Sequence, residues 1–422
     1  MTLVRSTYWG GMPFDFRAPP ERASVRPVKL RTPDLREVRG LRWTPERGAR
    51  AGVLLMHPRV DFTRHYAIPR LVAAGFDVLA LNSRSPNDDT DSVHEELVLD
   101  VAAGVDALRR EHAKVALFGN SGGGSLMALF QREASRPPSE RTARHVWGAK
   151  TPLPRVTLQP ADALLLVAAH RGEGHVLMRS VDPSVTDEAD PAATDPAVDM
   201  YAPANGFREP PAESRYDAAF VQRYRDAQRA RVARIDERAR ALLAEANEAR
   251  RATQAPGFDA LPFAERQALE RARHTRHVMV VYRTMANLDY VDRSLDPSPR
   301  AYGSLLSERP DLMNRSLPGF ARTVTPRAWL STWSGLSSRA DLARTLPELD
   351  GPIFVAHAER DCEIFPRADR EVIDGAIASD DSTVVVIEGA RHYFEPDLGA
   401  TDAPHVEALM DRVVPWLEER LG

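Results

Sequence analysis

The sequence predicts an α/β protein with a mostly parallel central sheet, flanked by helices and interrupted by a mainly helical insertion. Three observations lead there. Short apolar runs alternate with amphipathic helical stretches as far as His170, the pattern of strands joined by crossover helices. That alternation stops after His170 and resumes at Pro352-Ile353-Phe354-Val355-Ala356. One run, Val115-Ala116-Leu117-Phe118, ends in Gly119-Asn120-Ser121-Gly122-Gly123-Gly124, where small residues permit a sharp turn from strand into helix.

Taken in order, residues 1–35 are rich in Pro and Arg and read as an extended arm. Leu35 to Trp43 alternates charged and apolar residues, as an edge strand does, and Ala51 to Met56 is a buried strand ending at His57-Pro58-Arg59. Ile68 to Ala74 reads as a helix and Phe76 to Leu81 as a strand. Ser92-Val93-His94-Glu95 matches a capping box, and Leu97, Val101, Val105 and Leu108 share one face, so a helix is expected from Val93 to Arg110. After the serine turn, Ala161 to Ala169 forms another buried strand that closes at His170. Tyr216 to Thr253 then reads as one long helix whose apolar stripe is interrupted by Arg231. A second helix is expected from Pro262 to Asp289, and Tyr302, Phe320, Trp329 and Trp333 are available to line a pocket. Thr383 to Ile387 is the last strand and Pro404 to Leu421 the last helix. Four segments result: the arm (1–35), a first core part (36–179), a helical cap insertion (180–339) and a second core part (340–422). A homodimer arm is the competing use of the long helices.

Composition narrows the function. With 422 residues, a net charge of -4 and 43% hydrophobic residues, the chain can fill a large core and has no general attraction for nucleic acid. Arginine supplies 53 of the 56 basic residues, a bias assigned no function. Cys362 is the only cysteine, which excludes an intrachain disulfide and a multi-cysteine metal site. No run suits a signal peptide or a membrane span, so a cytoplasmic protein is expected. His274 and His277 resemble a metal pair, but no carboxylate or cysteine pattern completes it. No cofactor is expected.

A serine hydroxyl needs a base to take its proton and a group to hold that base. Ser121 is the candidate nucleophile, His392 the base and Asp361 its orienting carboxylate, each in a loop after a strand and in the chain order Ser, Asp, His. Glu359 and Glu363 are alternative carboxylates. For the oxyanion, the N–H of Gly122 is one donor. Pro58 has none, so Arg59 is the nearest second donor and Val60 the fallback. His57 and His170 end their strands beside the expected pocket and are candidate substrate contacts; His57 is also expected to support its own loop. Arg59, Arg64 and Arg84 lie near the rim, where surface ion pairing with Asp61, Asp88 or Asp89 is expected.

Through Leu54-Leu55-Met56-His57-Pro58, Gly119-Asn120-Ser121-Gly122-Gly123, Asp361 and Gly389-Ala390-Arg391-His392, the chain resembles a serine hydrolase of the α/β-hydrolase superfamily. The resemblance covers roughly residues 36–170 and 340–422. Pro58 stands where many members have glycine. The resemblance implies the α/β-hydrolase fold with a cap inserted after the His170 strand, and it does not identify the substrate. The expected activity is hydrolysis of a small-molecule carboxylic ester through an acyl-enzyme. Thioester, amide or carbon–carbon cleavage could use the same residues, and a non-catalytic binding or assembly module is the alternative from another class.

Overall fold

The computed structural model describes residue 20, residues 22–397, residue 400 and residues 402–422. The first part of the expected arm, residues 1–19, lies outside the described residues.

Eight strands form the central sheet: β1 (Ala23–Arg31), β2 (Glu37–Pro45), β3 (Gly52–Leu55), β4 (Asp77–Leu81), β5 (Val115–Asn120), β6 (Ala163–Val167), β7 (Ile353–Ala358) and β8 (Ser382–Ile387). Their spatial order is β1-β2-β4-β3-β5-β6-β7-β8. β1 and β2 pair antiparallel, as do β2 and β4, and every other pairing is parallel. The remainder of the expected arm is therefore corrected, because Ala23–Arg31 is the sheet's edge and the strand foreseen there sits one place in. Pro27 and the alternating cations of β1 are residues that an edge strand tolerates, since one side of its backbone needs no partner.

Central strands are apolar on both faces. Val53 and Leu55 join one core with α1 (Ile68–Ala73) and the C-terminal helix, while Leu54 and Met56 join the other with α2 (His94–Arg109) and α3 (Gly122–Ser135). The capping box does not form. Val93 is the N-cap of α2 without a side-chain bond, and Glu95 instead binds Ser331 Oγ and Arg339. Burial of this helix end against residue 331 replaces the local cap.

After α4 (Glu173–Ser180) the chain builds a separate apolar cluster around α5 (Ala218–Thr253). Asp217 caps α5 by accepting the Phe220 N–H at 2.7 Å, and at 36 residues the helix is roughly 54 Å long. Its buried stripe is Phe220, Tyr224, Val232, Ile235 and Ala239. Arg231, expected to interrupt that stripe, is fully buried within it. Its guanidinium reaches Glu188 at 2.7 Å and the carbonyls of Asp182 (2.6 Å) and Tyr282 (2.8 Å). The second helix is shorter than expected: α6 (Phe263–His274) folds back on α5 without fully burying any residue. The three valines among residues 278–281 favour an extended chain, and Met279–Val280 pairs with Thr323–Val324. Trp329 and Trp333 are core residues of the insertion, on a π-helical turn. The C-terminal helix α7 (Pro404–Leu421) closes the first face of the sheet. No described helix is long and apolar enough to cross a membrane.

Candidate active site

β5 runs buried through the middle of the sheet and stops at Asn120. Ser121 follows with φ 55° and ψ -127°, a backbone few side chains adopt, and α3 begins at the next residue. The turn closes only because its neighbours are glycines: a Cβ on Gly119 would come within 2.5 Å of the Gly123 carbonyl oxygen. Asn120 locks the turn from beneath. Its side-chain oxygen accepts from the Tyr66 hydroxyl at 3.0 Å and lies 3.1 Å from His65 Nε2, and its amide donates to the Val167 carbonyl at 2.7 Å. Burial takes His65 down to about 3, so this ring is neutral.

From β7 and β8 come the other two residues. The Ser121 hydroxyl lies 2.9 Å from His392 Nε2, and His392 Nδ1 lies 2.7 Å from Asp361 Oδ2. The second oxygen of Asp361 accepts the N–H groups of Glu363 (2.7 Å) and Ile364 (3.1 Å), which hold the carboxylate in place. The fold is that of an α/β hydrolase.

Within this α/β-hydrolase frame the alternative carboxylates serve elsewhere. Glu359 accepts the Gly389 N–H at 2.8 Å. Glu363 accepts the Tyr290 hydroxyl (2.7 Å) and the Leu305 N–H (2.9 Å), which ties the insertion to the Asp361 loop, and burial pushes its carboxyl up to about 7. Burial alone would depress His392; the charge and hydrogen bond of Asp361 outweigh it, and the imidazole rises above its ordinary value of 6.5.

The oxyanion side departs from expectation. Gly122 is the first residue of α3, so its N–H has no helical carbonyl to meet. The Arg59 N–H, expected as the second donor, is directed at His57 Nδ1 at 3.1 Å. The Val60 N–H, its fallback, goes to the same atom at 2.9 Å. The loop after Pro58 curls around the His57 ring and spends both donors on it. His57 thus supports its loop as expected, and it also stands beside the serine turn: a Cβ on Gly122 would sit 3.0 Å from His57 Nε2. His170 is buried, its Nδ1 has no hydrogen-bond partner among the described residues, and burial lowers it to about 4. The Arg59 side chain pairs with Asp89 at 3.3 Å and lies 5.3 Å from the Trp333 ring and 5.8 Å from Phe320, so it joins this loop to the insertion. Arg84 is spent on Asp34 and Asp100.

Two residues escaped the sequence reading. Asn120 was visible only as part of the glycine-rich run. Glu173, at the start of α4, is 1% exposed; its Oε2 lies 3.3 Å from His94 Nε2, and its Oε1 has no hydrogen-bond partner among the described residues and would collide with any Cβ on Gly122. A lone glutamate after a glycine carries no pattern that would have singled it out.

No protein-family model and no curated protein matches the chain. Among solved structures, DcsB in complex with its substrate analogue aligns with a TM-score of 0.49 and 12% identity, over 94% of this chain and 100% of that one. The esterase domain of a Rhodothermus marinus protein aligns at 0.42 and 10%, over 94% and 100%. The α/β hydrolase GrgF from Penicillium sp. sh18 aligns at 0.46 and 13%, over 94% and 99%. No role is carried over from them, and the chemistry rests on this chain's own side chains.

Proposed function

We propose that the chain is a serine hydrolase that cleaves a small-molecule carboxylic ester through an acyl-enzyme. The observation that carries this reading is the unbroken run of contacts from the Ser121 hydroxyl through His392 to Asp361. His392 Nε2 takes the proton as Ser121 Oγ attacks the carbonyl carbon. The imidazolium that forms is held by the Asp361 carboxylate. The developing oxyanion accepts the Gly122 N–H. Collapse expels the alcohol, protonated by His392, and water attacks the acyl-enzyme with His392 again as base. The insertion from residue 180 to 339 acts as a cap. In support, Ser121 is only 6% exposed, and the insertion reaches the Asp361 loop through Tyr290 and the Arg59 loop through Trp333. Phe320, whose ring lies 5.8 Å from the Arg59 guanidinium, favours a moderately bulky apolar acyl or alcohol group, whereas Trp333 is fully buried in the core of the insertion.

A panel of p-nitrophenyl esters, acyl thioesters and anilides tests this reading on the wild type and on Ser121→Ala. Ester turnover with a burst, lost in Ser121→Ala, is expected. Preference for thioester or anilide would move the leaving group while keeping the mechanism. No Ser121-dependent turnover of any member would leave the chain a binding or assembly module.

A further inference from the structure

We infer that the Nε2–H of His57 is the second oxyanion donor, which makes His57 a catalytic residue; the inference rests on Ser121 being the acyl-transfer nucleophile. The loop that ordinarily offers a backbone N–H has none to offer here. Pro58 lacks the group, and the N–H groups of Arg59 and Val60 are both directed at His57 Nδ1, at 3.1 and 2.9 Å. An imidazole nitrogen that accepts two N–H groups carries no proton, so the ring proton sits on Nε2. Burial, reinforced by the neighbouring Arg59 charge, holds the ring well below its ordinary value, and a neutral ring keeps that tautomer.

Nε2 lies beside the serine turn. A Cβ on Gly122 would sit 3.0 Å from it, and Nε2 makes no hydrogen bond among the described residues. The Nε2–H therefore stands beside the same residue whose N–H is the first donor, as a second donor to the oxyanion would. The ring is held because its Nδ1 accepts two N–H groups and it packs, tilted, beside Phe62 with centroids 5.2 Å apart. Glu173 Oε1 borders the same glycine, and its charge is met by His94, which lies 3.3 Å from the other carboxylate oxygen. The wall of the hole is thus an ion pair, and the donor facing the oxyanion is a neutral imidazole.

Two substitutions separate donor from anchor. His57→Asn keeps an acceptor where Nδ1 stands and withdraws the donor. His57→Gln places an amide N–H near Nε2 and gives up the anchor. With p-nitrophenyl butyrate, His57→Asn should lower kcat about 10²- to 10³-fold with KM little changed, the cost of losing one oxyanion donor. It should weaken an alkyl trifluoromethyl ketone, which forms a tetrahedral adduct on Ser121, in the same proportion, and His57→Gln should retain most of both. Wild-type activity in His57→Asn with loss in His57→Gln overturns the assignment, since that is the result for a loop anchor alone; equal loss in both overturns it too. In the unaltered protein, the His57 Nε2–H proton resonance should move downfield when the ketone binds, and an unmoved resonance also overturns it. A wild type without Ser121-dependent turnover defeats this assignment together with the hydrolase reading. Wild-type turnover with a fully active His57→Asn defeats this assignment alone.

Discussion

The sheet and the insertion are stabilised by different physics. In the sheet, strands β3, β5 and β6 bury aliphatic side chains on both faces, and Ser121, Asp361 and His392 meet beyond the ends of β5, β7 and β8. In the insertion, long side chains carry charge into the interior. Arg231 ties Glu188 to two backbone carbonyls, Arg283 bonds the Ala193 carbonyl and Thr194, and Arg179 and Arg225 converge on Asp289. The lesson is that an apolar frame brings Ser121, Asp361 and His392 together, while the insertion is held by directional polar bonds that are lost at high cost once a partner is removed.

Three substitutions probe that division. The largest effect is expected at the frame's rim. Asp361→Asn should lower kcat about 10⁴-fold, because the carboxylate that holds the imidazolium is gone, while the melting temperature moves little. It also tests the sign of the pH dependence. His392 works as a base only when neutral, and Asp361 raises it above 6.5, so the acidic limb of wild-type kcat/KM should lie above pH 6.5 and activity should fall as pH drops through it. In Asp361→Asn burial remains and the charge does not, so the limb of the residual activity should move to lower pH; a shift upward would contradict the cause given.

Next is Arg231→Met, which leaves Glu188 and two carbonyls without their partner and should cost about 3–5 kcal/mol. Limited proteolysis should then cut first between residues 182 and 260. Cuts that appear at the same time in the sheet would erase the distinction between the two regions. Leu165→Ala, at a fully buried site on β6, should cost about 2–5 kcal/mol by opening a cavity, and it should lower the melting temperature without changing the order of proteolytic cuts.

The same contrast explains what could be read in the sequence. The strands were legible because an apolar run bounded by turn residues has few other fates, and the chain order Ser, Asp, His named three residues that the structure brings together. Asp361 was separated from Glu359 and Glu363 only by the loop's path, which no local pattern encodes. Strand β1 was hidden because Pro27 and its cations read as an arm, although both suit a sheet edge. The helix expected to reach Asp289 ends at His274, because helical spacing alone does not weigh the three valines among residues 278–281, which favour an extended chain. Arg231 looked like a break in the stripe because spacing treats arginine as a surface residue, and nothing local shows that Glu188 and two carbonyls wait inside. The oxyanion side was misread for a similar reason: Arg59 and Val60 were placed by counting from Pro58, and the turn of their N–H groups toward His57 depends on the ring they surround.

The most direct test of the account is covalent. Incubating the native protein with a fluorophosphonate and measuring intact mass and peptide mass should give one adduct per chain, on Ser121, and none in Ser121→Ala. An unlabelled wild type, or labelling that persists in Ser121→Ala, would contradict the claim that His392 and Asp361 make this hydroxyl a nucleophile.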